Sequence, residues 1–156
     1  MRNLIIITLL ILAFSDLAYA RPNNLILTSF KTSTETLDIG NNGLDMGDLT
    51  VNMGDVYDKK AAEKVGSYVN RHITVHVDEV GGTDTRDILI QYILPRGTIS
   101  MTQIMTYSST THLPMTEGVR AIIGGTGIYA GAKGYQSFAP IPGKPAGWYL
   151  IKFFFK

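Results

Sequence analysis

Cysteine is absent from the 156-residue chain, which excludes disulfides, thiolate metal sites and a cysteine nucleophile. Charge is sparse as well: 14 basic and 13 acidic side chains leave a formal charge of +1, and charged residues make up only 17%. Binders of nucleic acid show clustered excess Lys and Arg, so no nucleic-acid partner is expected. No internal repeat or low-complexity tract occurs, which argues against solenoid and fibrous architectures. At 45% hydrophobic residues the chain is too apolar to be disordered and has the length of one domain.

What is present begins with Arg2, an almost unbroken apolar run from Leu4 to Phe14, and Ala18-Tyr19-Ala20 ahead of Arg21-Pro22. A positive start, a short apolar stretch and a small-x-small site form a secretory signal. As an anchor the run would reach only about 16 Å, roughly half a bilayer core. The expected arrangement is a signal peptide over residues 1–20 and a single domain over 21–156. The product is then secreted or periplasmic and not membrane-embedded after cleavage.

Beyond Arg21 the hydrophobic rhythm has a period of two. Ile99, Met101, Gln103, Met105 and Tyr107 alternate with Ser100, Thr102, Ile104 and Thr106, which is the pattern of a half-buried strand. Ile73, Val75 and Val77 alternate with His72, Thr74 and His76, and Ile88 to Leu94, Asn24 to Leu37 and Trp148 to Phe155 are further extended runs. Shorter candidates are Asp48 to Met53, Val119 to Ile123 and Gly134 to Pro140. Gly81-Gly82 and Pro95-Arg96-Gly97 supply hairpin turns. Asp58 to Val65 alone has helical character, with Asp58 as cap and Gly66 as stop. About eight strands with short connections predict an antiparallel sheet that controls its edges by closing into a barrel, with a two-sheet sandwich as the alternative.

Gly125, Gly127 and Ala130 imitate the spacing of a dinucleotide-binding loop. That reading requires a helix opening at the motif and an acidic residue about twenty positions on. Gly131, Gly134, Pro140 and Pro142 follow instead, and no Asp or Glu occurs after Glu117. A glycine-rich bend where backbone passes close to backbone fits better. His72 and His76 would converge on a metal from a helix, but along a strand they stand about 13 Å apart. Asp38, Asp45, Asp48, Asp55 and Asp58 lie in a Gly- and Asn-rich stretch whose spacing fits turns and no EF-hand loop. No metal and no cofactor is expected.

The stretch Gly124-Gly125-Thr126-Gly127-Ile128-Tyr129-Ala130-Gly131-Ala132-Lys133-Gly134-Tyr135 resembles the Gly-Gly-Ser/Thr-Gly-x-aromatic signature shared by plant allene oxide cyclases and dirigent proteins. Gly47-Asp48-Leu49, Val56-Tyr57, Val65-Gly66 and the aromatic Trp148 to Phe155 agree in order, so the resemblance spans about Gly47 to Phe155, as in a distant bacterial-type member. It implies a small eight-stranded antiparallel β-barrel related in architecture to lipocalins. It also implies confinement chemistry: the cyclases fold a fatty-acid epoxide, dirigent proteins orient phenoxy radicals, and bacterial relatives perform cycloadditions on polyketides. A dry cavity that pre-organises a flexible substrate removes rotational entropy from the barrier.

Carried over by position, the cyclases' water-binding asparagine falls on Gly54, with Asn52 nearby, and their cavity cysteine falls on His72. The cavity tyrosine falls on Met105, two positions from Tyr107 on the same face, and Glu35 is the only glutamate available on the first strand. These departures argue against allene oxide cyclase activity proper. The resemblance leaves Glu35, His72 and Tyr107 as candidate catalytic groups and Met101, Gln103 and Met105 as candidate ligand-binding residues. The expected function is an exported barrel that confines a small hydrophobic metabolite and directs its cyclisation or stereoselective coupling, acting without cofactor as an isomerase-type enzyme if it turns over. The alternatives are a non-catalytic lipocalin-like carrier and a structural barrel with a filled interior, whose outer face packs on another subunit through Trp148 or the row Ile73, Val75 and Val77. Plant relatives form trimers, so a homo-oligomer, dimer or trimer, is the expectation by analogy.

Overall fold

The computed structural model describes residues 22–40, 43–111, 114–115 and 118–156; the expected leader lies outside them. Eight strands run in chain order: β1 (Asn24–Leu37), β2 (Leu49–Tyr57), β3 (Lys64–Asp78), β4 (Thr83–Leu94), β5 (Gly97–Ser108), β6 (Val119–Gly125), β7 (Gly134–Pro140) and β8 (Trp148–Phe155). Each pairs antiparallel with its neighbour, and β1 also pairs β8 from Asn24 opposite Phe154 to Phe30 opposite Trp148, so the sheet is a closed all-β barrel. Closure leaves no unpaired edge. The sandwich alternative is thereby excluded.

One expected element is different. Asp58 to Val65 forms no helix: Lys64 and Val65 already belong to β3, and a turn occupies the residues before them. The Asp58 carboxylate accepts from the backbone N–H of Ala62 at 2.8 Å and of Glu63 at 3.3 Å, and Ala61 is left-handed at φ 56°. Side-chain capping and a left-handed residue close a turn before a second helical turn can form.

Inside the barrel the rows divide into two halves. At the end that holds the β4–β5 turn, the interior is packed with Leu27, Val56, Ile99, Ile122, Ile151 and Phe153, all buried. Tyr92 meets Phe153 edge-on at 5.2 Å. The glycine-rich segment seals this floor: a 3₁₀ turn over Gly127–Tyr129 presents a buried Tyr129 that stacks on Phe155 at 5.8 Å. A Cβ on Gly127 would fall on the Arg96 carbonyl oxygen, and one on Gly97 would fall on that of Thr126. Two backbones cross here at a distance only glycine permits.

Towards the other end the inward rows turn polar. β3 presents Tyr68, Asn70, His72 and Thr74 to the interior, all buried, whereas Ile73 and Val75 are 46% and 40% exposed on the outside. β4 likewise buries Asp84 and Arg86 on the same side as Ile88 and Ile90. The half of the barrel beneath the β1–β2, β5–β6 and β7–β8 loops is therefore not filled by hydrocarbon.

Candidate functional site

That polar half holds a cavity of about 830 Å³, open to solvent at its mouth and walled by side chains from β1, β2, β3, β4, β5, β6, β7 and β8 and by loop residues Leu44, Ser109 and Gly147. A volume of this size holds one small organic molecule. Its wall is aromatic and polar: Tyr68, Tyr92, Tyr107, Tyr149, His72 and Arg120 carry most of the chemistry.

His72 and Tyr107 reach the cavity from β3 and β5, with ring centroids 5.8 Å apart. Neither imidazole nitrogen has a hydrogen-bond partner among the described residues. Burial, reinforced by the Arg86 and Arg120 charges, pulls the His72 pKa down to about 3, so the ring is neutral near pH 7. Burial pushes the Tyr107 phenol up. The Arg86 guanidinium carbon lies 4.5 Å from the Tyr107 ring centroid while its Nε donates to the fully buried Asp84 carboxylate. The second Asp84 oxygen and the Asn70 carbonyl oxygen have no partner among the described residues. A cluster of buried polar atoms without internal partners is costly in an apolar interior, which marks the wall as built to meet something polar.

Glu35 is not part of this wall. On β1, Ser29 and Lys31 line the cavity, and then Thr34 and Thr36 do. The pairing with β2 shifts between Lys31 and Ser33, a β-bulge at Thr32 that changes which alternate residues point inward. Without the extra residue the inward series would continue to Ser33 and Glu35; with it, Glu35 stands exposed on the outer face, opposite Val51.

The β5 row is also divided. Met101 and Met105 are almost fully buried and belong to the packed core, not to the cavity lining, and Gln103 lies between them half-buried. Met105 and the Phe138 ring both lie close to Gly118, which places the methionine under neighbouring structure. Of that row, Tyr107 alone lines the cavity. The His76 side chain is exposed while His72 is buried, and among the described residues no cluster of His, Asp or Glu is grouped to hold a metal.

Sequence reasoning missed Arg86, Asp84 and Arg120. A signal existed: Arg86 shares its parity with Ile88 and Ile90, and Arg120 shares its parity with Ile122. A charge standing in an apolar row of a strand is a buried charge. Asp48 is a second buried carboxylate and, unlike Asp84, lines the cavity; it accepts from the backbone N–H of Asp45 at 2.9 Å and of Ile39 at 3.0 Å. Those bonds hold its pKa below the usual carboxylate value and fix the start of β2 against the preceding loop.

No protein-family model and no curated protein matches the sequence. Solved structures do match. A pyocyanin demethylase superposes with a TM-score of 0.66 at 18% identity, covering 85% of this chain and 99% of its own. The Diels-Alderase AbmU from Streptomyces koyangensis gives 0.62 at 20% identity, covering 94% of this chain and 69% of its own. The pterocarpan synthase dirigent protein PsPTS1 gives 0.58 at 16% identity, covering 85% and 94%. These likenesses show the fold: a closed, eight-stranded antiparallel barrel, the architecture that the resemblance of the glycine-rich stretch implied.

Proposed function

We propose that this barrel binds one small, largely apolar molecule in its cavity and directs its cyclisation or stereoselective coupling by confinement. The observation that carries the reading is the 830 Å³ cavity, open at one end and walled by aromatic and unpartnered polar side chains. Structural neighbours described as a Diels-Alderase and as a pterocarpan synthase dirigent protein support it. Tyr107 and His72 are the groups placed to touch a reacting molecule, Tyr107 as hydrogen-bond donor and neutral His72 as donor or acceptor. Holding a flexible chain folded against such a wall lowers the barrier without acid or base of its own.

A carrier is the second reading, favoured by the ionisation states: neither His72 nor Tyr107 titrates near neutrality, so the pair is poorly matched to general acid–base work. Export through a leader ending at Ala20 belongs to the proposal too, and N-terminal sequencing of the mature protein, expected to begin at Arg21, checks it.

Native mass spectrometry of the protein from its own source, followed by organic extraction, tests the reading and counts subunits. A stoichiometric small molecule, lost in Thr50→Trp at the cavity wall, supports it. Conversion of the molecule's open precursor to a single stereoisomer separates a reactive barrel from a carrier. A bare mass in every preparation overturns both.

A further inference from the structure

The cavity's charges do not balance, and the imbalance has a location. Among the described residues that line it, the cations are Lys31, Arg86 and Arg120 and the carboxylate is Asp48, with Asp84 fully buried behind Arg86. Asp84 is committed to Arg86. Asp48 is committed to the backbone N–H groups of Ile39 and Asp45. Arg120 is left with no carboxylate among the described residues. It is 7% exposed, its guanidinium carbon sits 3.7 Å from the Phe138 ring centroid, and one terminal nitrogen donates to the Gln136 side-chain oxygen at 3.1 Å. Its Nε has no partner.

Four of the five donors of this fork are thus unused by the described protein groups. Arginine keeps its charge even when buried, and burial of an uncompensated charge is strongly unfavourable unless a counter-charge joins it. Neither Gln136 nor Phe138 carries a charge. The guanidinium fork matches an oxyanion in two-point geometry. Around it the wall offers tyrosine rings, suited to a flat or polyene body.

We propose that Arg120 is the receptor for an acidic group, a carboxylate, phenolate or enolate, on the cavity's otherwise apolar ligand. This rests on the reading of the cavity as a small-molecule site and narrows the ligand to an amphiphilic anion. The charged end lies against Arg120 and Phe138, and the body extends past Tyr107 and His72. Arg120 acts as a positioning residue: it fixes which end of the molecule enters first and hence which atoms face the His72–Tyr107 wall.

Two fluorescent probes that differ in one group provide the test: 8-anilinonaphthalene-1-sulfonate and its uncharged parent N-phenyl-1-naphthylamine. The expected result is that the full protein binds the sulfonate about tenfold or more tightly than the parent, that the two compete, and that the preference persists at about 0.5 M salt, where an exposed lysine would be screened. Arg120→Met is expected to abolish the preference, and Lys152→Gln, on the exposed outside, to leave it. Equal affinity for both probes in the unaltered protein overturns the proposal while the small-molecule cavity stands. Binding of neither overturns both. A preference that salt erases, or that survives in folded Arg120→Met, assigns the anion elsewhere and overturns the role of Arg120. Should Arg120→Met fail to fold, the salt-resistant preference of the unaltered protein decides.

Discussion

His72 and Tyr107 face one another inside the barrel from strands that are not neighbours, with ring centroids 5.8 Å apart and planes inclined at 42°. Between them β4 contributes Arg86, whose charge both rings feel. Burial keeps imidazole and phenol neutral together, with the Arg86 charge adding to the effect at the imidazole and opposing it at the phenol, and the consequence for His72 is measurable in stability.

The folded-state pKa of His72, about 3, lies below the unfolded value of about 6.5. Between those values the unfolded chain binds a proton that the folded chain does not. Stability therefore rises with pH through this window and is lost as pH falls through it, by about 1.4 kcal/mol per unit at the steepest. Urea unfolding at pH 7 and at pH 4.5 should show the parent protein losing about 2–3 kcal/mol more than His72→Phe. Parallel losses would show that His72 is not buried in neutral form.

Asp84 is fully buried and its partner Arg86 nearly so. Asp84→Asn removes the compensating charge and leaves the guanidinium alone, at an expected cost of about 3–5 kcal/mol. Asp84→Asn combined with Arg86→Gln should recover part of that loss, because no charge is then left uncompensated. A double-mutant cycle by chemical denaturation reads the coupling; a single-variant cost below about 1 kcal/mol would mean the pair contributes no more than a surface bridge does.

Gly127 and Gly131 have nearly the same left-handed backbone, φ 60° and 67°, but different surroundings. A Cβ at Gly131 meets nothing within 4 Å, whereas at Gly127 it meets the Arg96 carbonyl and the Gly97 Cα. Gly131→Ala should cost only the left-handed penalty, about 1–2 kcal/mol. Gly127→Ala must also part the floor and should cost at least about 2 kcal/mol more. Thermal melts of the two variants side by side decide, and equal costs would contradict the close backbone crossing.

The bulge at Thr32 makes neighbouring residues differ in kind. Thr34 lines the cavity and Glu35 does not. Uptake of N-phenyl-1-naphthylamine should weaken about tenfold in Thr34→Trp and stay within about twofold in Glu35→Trp. The reverse order would mean that the inward series of β1 runs through Glu35.

These particulars show what the sequence could disclose. The mostly apolar row of Ile99 to Tyr107 disclosed that strand and its inward face, because there the apolar row is the buried one, whereas Trp148 to Phe155, apolar on both rows apart from Lys152, disclosed the strand but not its face. On β3 the rule inverts: His72 and Thr74 are buried while Ile73 and Val75 are exposed. A cavity wall reads as a surface in a hydropathy pattern, since its polar groups face the barrel interior rather than bulk water. Glu35 was misplaced for a different reason. A bulge is one residue in the pairing of two strands, and it leaves no trace in local periodicity. Arg120 and Asp84 were hidden by their type, as charged residues default to the outside. Their parity with Ile122 and Ile88 was the available clue.

The pairing of β1 with β8 has a kinetic consequence. The seam joins Leu25 to Phe153 and Leu27 to Ile151, contacts that span nearly the whole chain, and such non-local pairing slows folding. Until the last strand has emerged, β1 offers one bare edge, and the growing sheet offers another that moves along with synthesis. Intermediates of this kind aggregate readily. The barrel is a structure that is finished only by β8, so truncation of even a few positions from that strand should act on yield and chaperone dependence before it acts on the cavity.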